Sequence, residues 1–181
     1  SFLVRSRNCS CGIMVTASHN PPSDNAVKVY WSTGGQILPP HDKEIIARVM
    51  NVEAIEEGPA FEQHVQEGAI EICTADTDRQ FLHAVLSQSF PGPRDLKIIY
   101  SPLHGVGASA ICPVLKAAGF HDVEVFADHA TPCGDFPNVP GHVSNPENTA
   151  VFESIIERAK QVGADLVLAL DPDCDRVGCA A

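Results

Sequence analysis

Apolar and polar positions change period along this chain in short blocks, and each block predicts an element. Gly12-Ile-Met-Val-Thr16 is an apolar run that predicts a buried strand, and Ala26-Val-Lys-Val-Tyr-Trp31 alternates as a second. Gly34-Gly35 predicts a turn before Gln36-Ile-Leu38, and Pro39-Pro40 breaks the chain after it. Asp42 is placed to cap a helix whose Ile45, Ile46, Val49 and Met50 form one stripe. Residues 51 to 75 are acidic, with only patchy strand signal.

From Asp76 the period becomes helical, with Phe81, Leu82, Val85 and Leu86 on one face and Pro91-Gly-Pro93 closing the segment. Leu96-Lys-Ile-Ile-Tyr100 predicts a strand, and a helix comes next across about Ser109 to Ala118 with Gly119 as its stop. Pro113 is expected within or close to the first turn of that helix, because deeper in it would remove a backbone bond. Val123-Glu-Val-Phe126 predicts another strand, and after it a Pro-, Gly- and Asn-rich loop runs from Thr131 to Asn145. Asn145 is expected as an N-cap with Pro146 at the first helical position. Phe152, Ile155, Ile156 and Ala159 then line the inner face, and Gly163 ends the helix. Asp165-Leu-Val-Leu-Ala-Leu170 is apolar enough for a strand covered on both sides. Strands alternating with helices predict an α/β fold, with doubly wound, mixed or parallel sheets and flanking helices. Residues 1–75 read as the tail end of one α/β unit and 76–181 as a second.

Composition narrows the classes. A chain of 181 residues that is 44% hydrophobic and 19% charged forms a packed core, enough for one domain or for a small domain plus part of another. Its net charge of −11 offers no basic footprint, so nucleic acid is not an expected partner. No apolar run reaches the roughly 18 residues a bilayer span requires, and no basic-then-apolar leader is seen, so no membrane association is expected. Seven cysteines at irregular spacing are unlike a secreted disulfide framework, and Cys9-Ser-Cys11 lacks a matching pair for zinc. Reduced thiols and a cytoplasmic setting are expected.

Two motifs carry candidate chemistry. Thr16-Ala-Ser-His-Asn-Pro-Pro22 presents the Ser18 hydroxyl beside His19, with Asn20-Pro21-Pro22 stiffening the turn after it. By itself a Ser-His pair is a commonplace turn or cap, and Gly-x-Ser-x-Gly is absent, which counts against a serine hydrolase. Asp171, Asp173 and Asp175 alternate at the carboxyl end of an apolar strand, where ligands of parallel sheets bind. Three hard oxygen donors at that spacing suit Mg²⁺ or a similar cation over zinc, although an acidic surface turn has the same composition. Lys28 is the lone cation in an apolar strand: an edge-strand charge, or a phosphate and proton partner. Gly105-Val-Gly-Ala-Ser-Ala110 imitates a dinucleotide fingerprint, but Ser101-Pro-Leu-His104 separates it from its strand, and packing at a helix start explains the glycines.

Taken together, these motifs resemble the α-D-phosphohexomutases. Thr16-Ala-Ser-His-Asn-Pro21 resembles their phosphoserine loop, Asn25-Ala-Val-Lys-Val-Tyr30 the segment after it, and Asp171-Pro-Asp-Cys-Asp-Arg176 their metal loop. Phe136-Pro137 and Asn145-Pro-Glu-Asn148 suit the second domain, and the wording is most similar to the phosphoglucomutase/phosphomannomutase branch. The resemblance implies a fragment holding a partial first domain (1–75) and a near-complete second domain (76–181). It implies that Ser18 carries the phosphoryl group and that Asp171, Asp173 and Asp175, with a phosphoserine oxygen, hold Mg²⁺. His19 and Lys28 would serve proton movement or phosphate contact, and Arg176 would steady phosphate charge. The implied reaction is an isomerisation within carbohydrate metabolism. In it, an intramolecular phosphotransferase moves phosphate between C1 and C6 (or C5) of a hexose or pentose phosphate through a bisphosphate. The fragment alone is expected to be inactive. Pro172, Cys174 and Ala26 stand where glycine is more familiar in the family.

Two other classes remain compatible with these residues. A haloacid-dehalogenase-like phosphatase would use Asp171 as nucleophile, although Asp175 occupies a position where Thr or Val is expected. A non-catalytic metal-binding domain would leave Ser18 remote from the acidic loop.

Overall fold

A computed structural model describes residues 1–73 and 75–181. Contacts divide the chain into two compact units: Ser1–Met14 with Lys28–Phe81, and Val15–Val27 with Leu82–Ala181. The segment that carries Ser18 therefore groups with the distant carboxyl-terminal stretch, not with its sequence neighbours.

In the first unit a short helix α1 (Phe2–Ser6) turns Val4 inward, where its side chain closes over Gly12. Strands β1 (Cys11–Val15) and β2 (Val27–Trp31) form a two-stranded sheet, with an isolated antiparallel bridge from Tyr30 to Gln36. The predicted burial of the first strand is not found: Ile13 is 69% exposed, because β1 has one neighbouring strand and no layer covering both faces among the described residues. Helices α2 (His41–Met50) and α3 (Phe61–Gln66) come next. Asp42 does not cap α2; Pro40 occupies the N-cap position and Asp42 lies in the first turn, still favourable beside the helix's positive end. The Ile46, Val49 and Met50 stripe is exposed. α3 falls where the sequence shows only patchy strand signal. Helix α4 (Ala75–Leu86) runs across the division between units.

The second unit is built on a four-stranded sheet in the order β4-β3-β5-β6, from β3 (Lys97–Ser101), β4 (Asp122–Val125), β5 (Leu166–Leu170) and β6 (Val177–Ala180). The first three strands run parallel, and β6 pairs antiparallel with β5, Leu168 opposite Cys179. β6 carries too short and mixed a pattern to stand out in the sequence. Helix α5 (Ala108–Ala117) links β3 to β4, and α6 (Glu153–Val162) leads into β5. The chain thus steps outward from β3 to β4 and returns to β3's other side, so the loops after β3 and β5 flank a topological switch point.

The core of this unit joins Ile99, Val167 and Ala169 of the sheet to Val151, Phe152, Ile155 and Ala159, with Leu103, Phe126, Phe136 and Val139 from the loops. Two local expectations shift. Pro113 is the sixth residue of α5, not within its first turn; the carbonyl it leaves unpaired, four residues back, belongs to exposed Ser109, where water can bond it. The helix start attributed to Asn145 belongs to Asn148. The Asn148 carboxamide accepts from the Ala150 N–H at 3.1 Å and opens a 3₁₀ turn, Thr149–Phe152, that runs on into α6. Asn145 instead accepts from the Glu147 N–H and closes a local turn. Two asparagines three residues apart give one capping signal, and burial of Val151 and Phe152 decides which begins the helix. Gly163 ends α6 in the left-handed region, φ 66°.

Candidate active site

Asp171 leaves the end of β5 fully buried, and it is held on two sides. The Arg176 N–H donates to Asp171 Oδ1 at 2.9 Å, which curls the loop back on itself, and the Cys174 N–H donates to the Asp171 carbonyl at 3.0 Å. That curl puts Cys174 in the left-handed region at φ 63°, a conformation glycine adopts more readily than cysteine. Within it, one oxygen from each of Asp171, Asp173 and Asp175 lies within 4.8 Å of the others.

The loop after β3 packs on this turn from beneath. A methyl group on Gly105 would lie 2.2 Å from the Pro172 Cα, and the Val106 N–H donates to the Pro172 carbonyl at 3.1 Å. Glycine at 105 is required by this close approach of two backbones, not by dinucleotide binding. Gly107 likewise leaves room for the Tyr100 hydroxyl and the Cys174 thiol. Burial pushes the Tyr100 phenol well up and the Cys174 thiol to about 11, with the neighbouring carboxylates adding to the latter. Cys174 is therefore a protonated packing residue at neutral pH.

Ser18 reaches the acidic trio directly. Its hydroxyl lies 2.7 Å from Asp171 Oδ2 and 2.9 Å from Asp173 Oδ1, and 3.2 Å from His19 Nδ1. The residue is held at φ 55°, a conformation costing about 1–3 kcal/mol that persists only where surroundings enforce it. His19 Nδ1 is also 3.8 Å from Asp171 Oδ2. One hydroxyl proton cannot fully serve two carboxylates. Burial first, and the adjacent Asp173 second, push the Asp171 acid upward against the hydrogen bonds from Ser18 and the Arg176 amide. Convergent hard oxygens whose charges disfavour one another are the donor set a divalent cation relieves, so these residues fit a metal ion.

Beside Ser18 opens a cleft of about 470 Å³ whose walls include Asn20, Asp24, His104, Phe136 and Pro172. It has the size of a small-molecule site. The Arg176 guanidinium is paired with Glu147 at 2.8 Å at the surface, so the loop contact of Arg176 is through its backbone. Lys28 lies on β2, in the other unit. Thus Ser18, His19, Asp171, Asp173 and Asp175 are gathered in one place. Two contributors receive no role at the site from the sequence: Thr16, whose hydroxyl meets Asp173 Oδ2 at 3.1 Å, and the His104-Gly105 turn under Pro172. The glycine spacing is the available signal for the second, and the place of Thr16 at the head of the Ser18 motif for the first.

Comparison with known proteins bears on the family and the fold. The phosphoglucomutase/phosphomannomutase α/β/α domain I model matches residues 1–56, and the domain II model residues 79–181. A phosphoglucomutase of Staphylococcus saprophyticus is 33% identical over 98% of this chain and 32% of its own length. A phosphomannomutase of Mycoplasmoides pirum is 30% identical over 97% of this chain and 32% of its own. The chain spans about a third of the length of these curated relatives. A crystal structure of a phosphoglucomutase/phosphomannomutase family protein from Burkholderia thailandensis superposes with a TM-score of 0.67 over 94% of this chain and 33% of that one, at 22% identity, and supports the fold. No helix among the described residues is long and apolar enough to cross a membrane. With domain II matched across the unit that holds Ser18's carboxylate partners, the chain belongs to the phosphoglucomutase/phosphomannomutase family.

Proposed function

We propose that this chain carries the phosphoserine and metal-binding portion of a phosphohexomutase, with Ser18 as the phosphoryl carrier and a magnesium ion held by Asp171, Asp173 and Asp175. The observation that carries the reading is the Ser18 hydroxyl lying 2.7 and 2.9 Å from two members of a trio able to hold a metal ion. When bound, the cation supplies positive charge against the phosphoryl oxygens as they develop charge in transfer.

The protein's own groups divide the remaining work. Phosphorylated Ser18 yields its phosphoryl group to a free hydroxyl of a sugar monophosphate: the serine O–P bond breaks, the sugar O–P bond forms, and the sugar hydroxyl gives up its proton. The resulting bisphosphate returns its other phosphoryl group to Ser18, so one difficult migration becomes two displacements. His19, whose Nδ1 is 3.2 Å from Ser18 Oγ, is assigned to proton movement, the closer Asp171 and Asp173 carboxylates being given to the cation. Lys28 and Arg176 are assigned to phosphate contact. For Arg176 this means exchanging its surface pairing with Glu147, a bond of small worth. Sugar selection, among glucose, mannose and pentose phosphates, is assigned to parts of the protein beyond the third of its relatives' length that this chain spans, so the chain alone turns over no substrate. A cytoplasmic setting suits a phosphosugar substrate and reduced thiols.

Incubation of the full-length protein with Mg²⁺ and glucose 1,6-bisphosphate carrying radiolabelled phosphate tests this. Label is expected on Ser18, and Ser18→Ala should lose it by at least about a thousandfold, since removing a covalent nucleophile leaves only residual catalysis. Label on Asp171 would instead favour a phosphatase that uses a carboxylate nucleophile. No label on either would leave a metal-binding domain.

A further inference from the structure

The Thr16 hydroxyl makes two bonds, and its chemistry fixes their direction. It accepts from the Ser18 N–H at 2.9 Å and stands 3.1 Å from Asp173 Oδ2. An ionised carboxylate only accepts, so the single Thr16 proton is committed to Asp173, and a lone pair receives the Ser18 amide. Thr16 is itself anchored where β1 ends, its N–H donating to the Ala26 carbonyl at 3.0 Å. The residue therefore joins the backbone that strains Ser18 into the left-handed region to a carboxylate 157 positions away.

The consequence for Asp173 is orientational. With Oδ2 held by Thr16, the carboxylate plane is set so that Oδ1 lies 2.9 Å from the Ser18 hydroxyl. A local turn cap would need only the bond to the Ser18 N–H. The bond to Asp173 is superfluous for a turn, and is the kind of outer contact that fixes the rotation of a metal-binding carboxylate.

We propose that Thr16 is a positioning residue which, through one hydroxyl, sets both the Ser18 backbone and the Asp173 carboxylate, and so aligns the phosphoryl carrier with the metal-binding trio. The proposal rests on the phosphoserine reading for its effect on transfer, and on geometry alone for its effect on metal affinity. Thr16→Val removes the hydroxyl while keeping the shape, and Thr16→Ser keeps the hydroxyl.

Two readouts are needed in the full-length protein: Mn²⁺ affinity by electron paramagnetic resonance, and the rate at which Ser18 takes label from glucose 1,6-bisphosphate. Thr16→Val is expected to weaken Mn²⁺ binding by about 10–100-fold, as losses of outer-sphere partners do, and to slow labelling by a comparable factor. Thr16→Ser should restore both to within about threefold on the same grounds. Equal Mn²⁺ affinity and equal labelling in Thr16→Val and wild type would overturn the proposal. So would failure of Thr16→Ser to rescue. If Thr16→Val does not fold, Thr16→Ala takes its place; if neither folds, the hydroxyl is structural and the proposal is wrong. Wild-type protein that takes no label on Ser18, yet loses Mn²⁺ affinity in Thr16→Val, would sink the phosphoserine reading and leave the positioning role standing.

Discussion

Individual side chains in the second unit are placed by what their polar atoms must satisfy. His129 is fully buried, its Nε2 lying 3.1 Å from the Asn138 carbonyl and its Nδ1 2.9 Å from the Ser101 hydroxyl. A carbonyl can only accept, so Nε2 carries the proton, Nδ1 receives the serine's, and the ring is neutral. Burial is the main cause that holds its pKa below the ordinary histidine value. The unfolded chain therefore binds a proton that the folded one resists, and the stability contributed by this neutral ring is complete above about pH 6.5 and falls as the pH drops below it. Urea midpoints measured from pH 8 down to pH 5 should decline more steeply for wild type than for His129→Gln. Parallel curves would mean that His129 charges freely in the folded state. Sequence position gives no hint of this: eight histidines are spread along the chain, and only the packed structure shows that this one is fully buried.

At the level of elements, the periodic segments are readable in the sequence and their ends are not. The second unit's strands at 97–101, 122–125 and 166–170, and the helices before and between them, lie within a residue or a few of where apolar spacing puts them. Gly163 is legible as a stop because only a left-handed residue closes α6 there. The start of the 3₁₀ turn that leads into α6 is not, since Asn145 and Asn148 carry the same capping chemistry. Asn148→Ala should cost about 1 kcal/mol, the usual worth of an N-cap. Asn145→Ala, which removes a turn contact outside the helix, should cost less. A calorimetric or urea comparison with the order reversed would return the cap to Asn145. Pro113 shows a complementary limit. Proline is penalised inside helices by rule, but the penalty depends on whether the orphaned carbonyl meets water, which only the packed helix reveals.

The whole molecule brings together what the chain keeps 153 residues apart, Ser18 and Asp171. The segment Val15–Val27 contributes to the second unit although the residues on either side belong to the first, so the site depends on a long-range closure that loops rarely make unaided. A cation bridging that closure binds the folded state and not the open chain. Mg²⁺ at a hundred times its dissociation constant should therefore add about 2.7 kcal/mol, a rise of about 5–10 °C in Tm for a chain of this size. Calorimetry with MgCl₂ against EDTA reads this, with Asp171→Asn abolishing the difference. No shift in wild type would mean that the trio holds no cation. This outcome is independent of any sugar.

Some of this comes from residue order alone. Apolar period names strands and helices because each element buries a face at its own repeat, and an acidic alternation after a buried strand marks a candidate ligand loop because parallel sheets bind at their carboxyl ends. Folding decided the rest. Whether β1 is covered, which asparagine opens the 3₁₀ turn before α6, that β6 turns antiparallel, and that the Thr16 hydroxyl grips Asp173 all depend on contacts between distant residues. A hydroxyl or an amide has the same chemistry wherever it stands in the chain; its role is set by the partner that packing brings within about 3 Å.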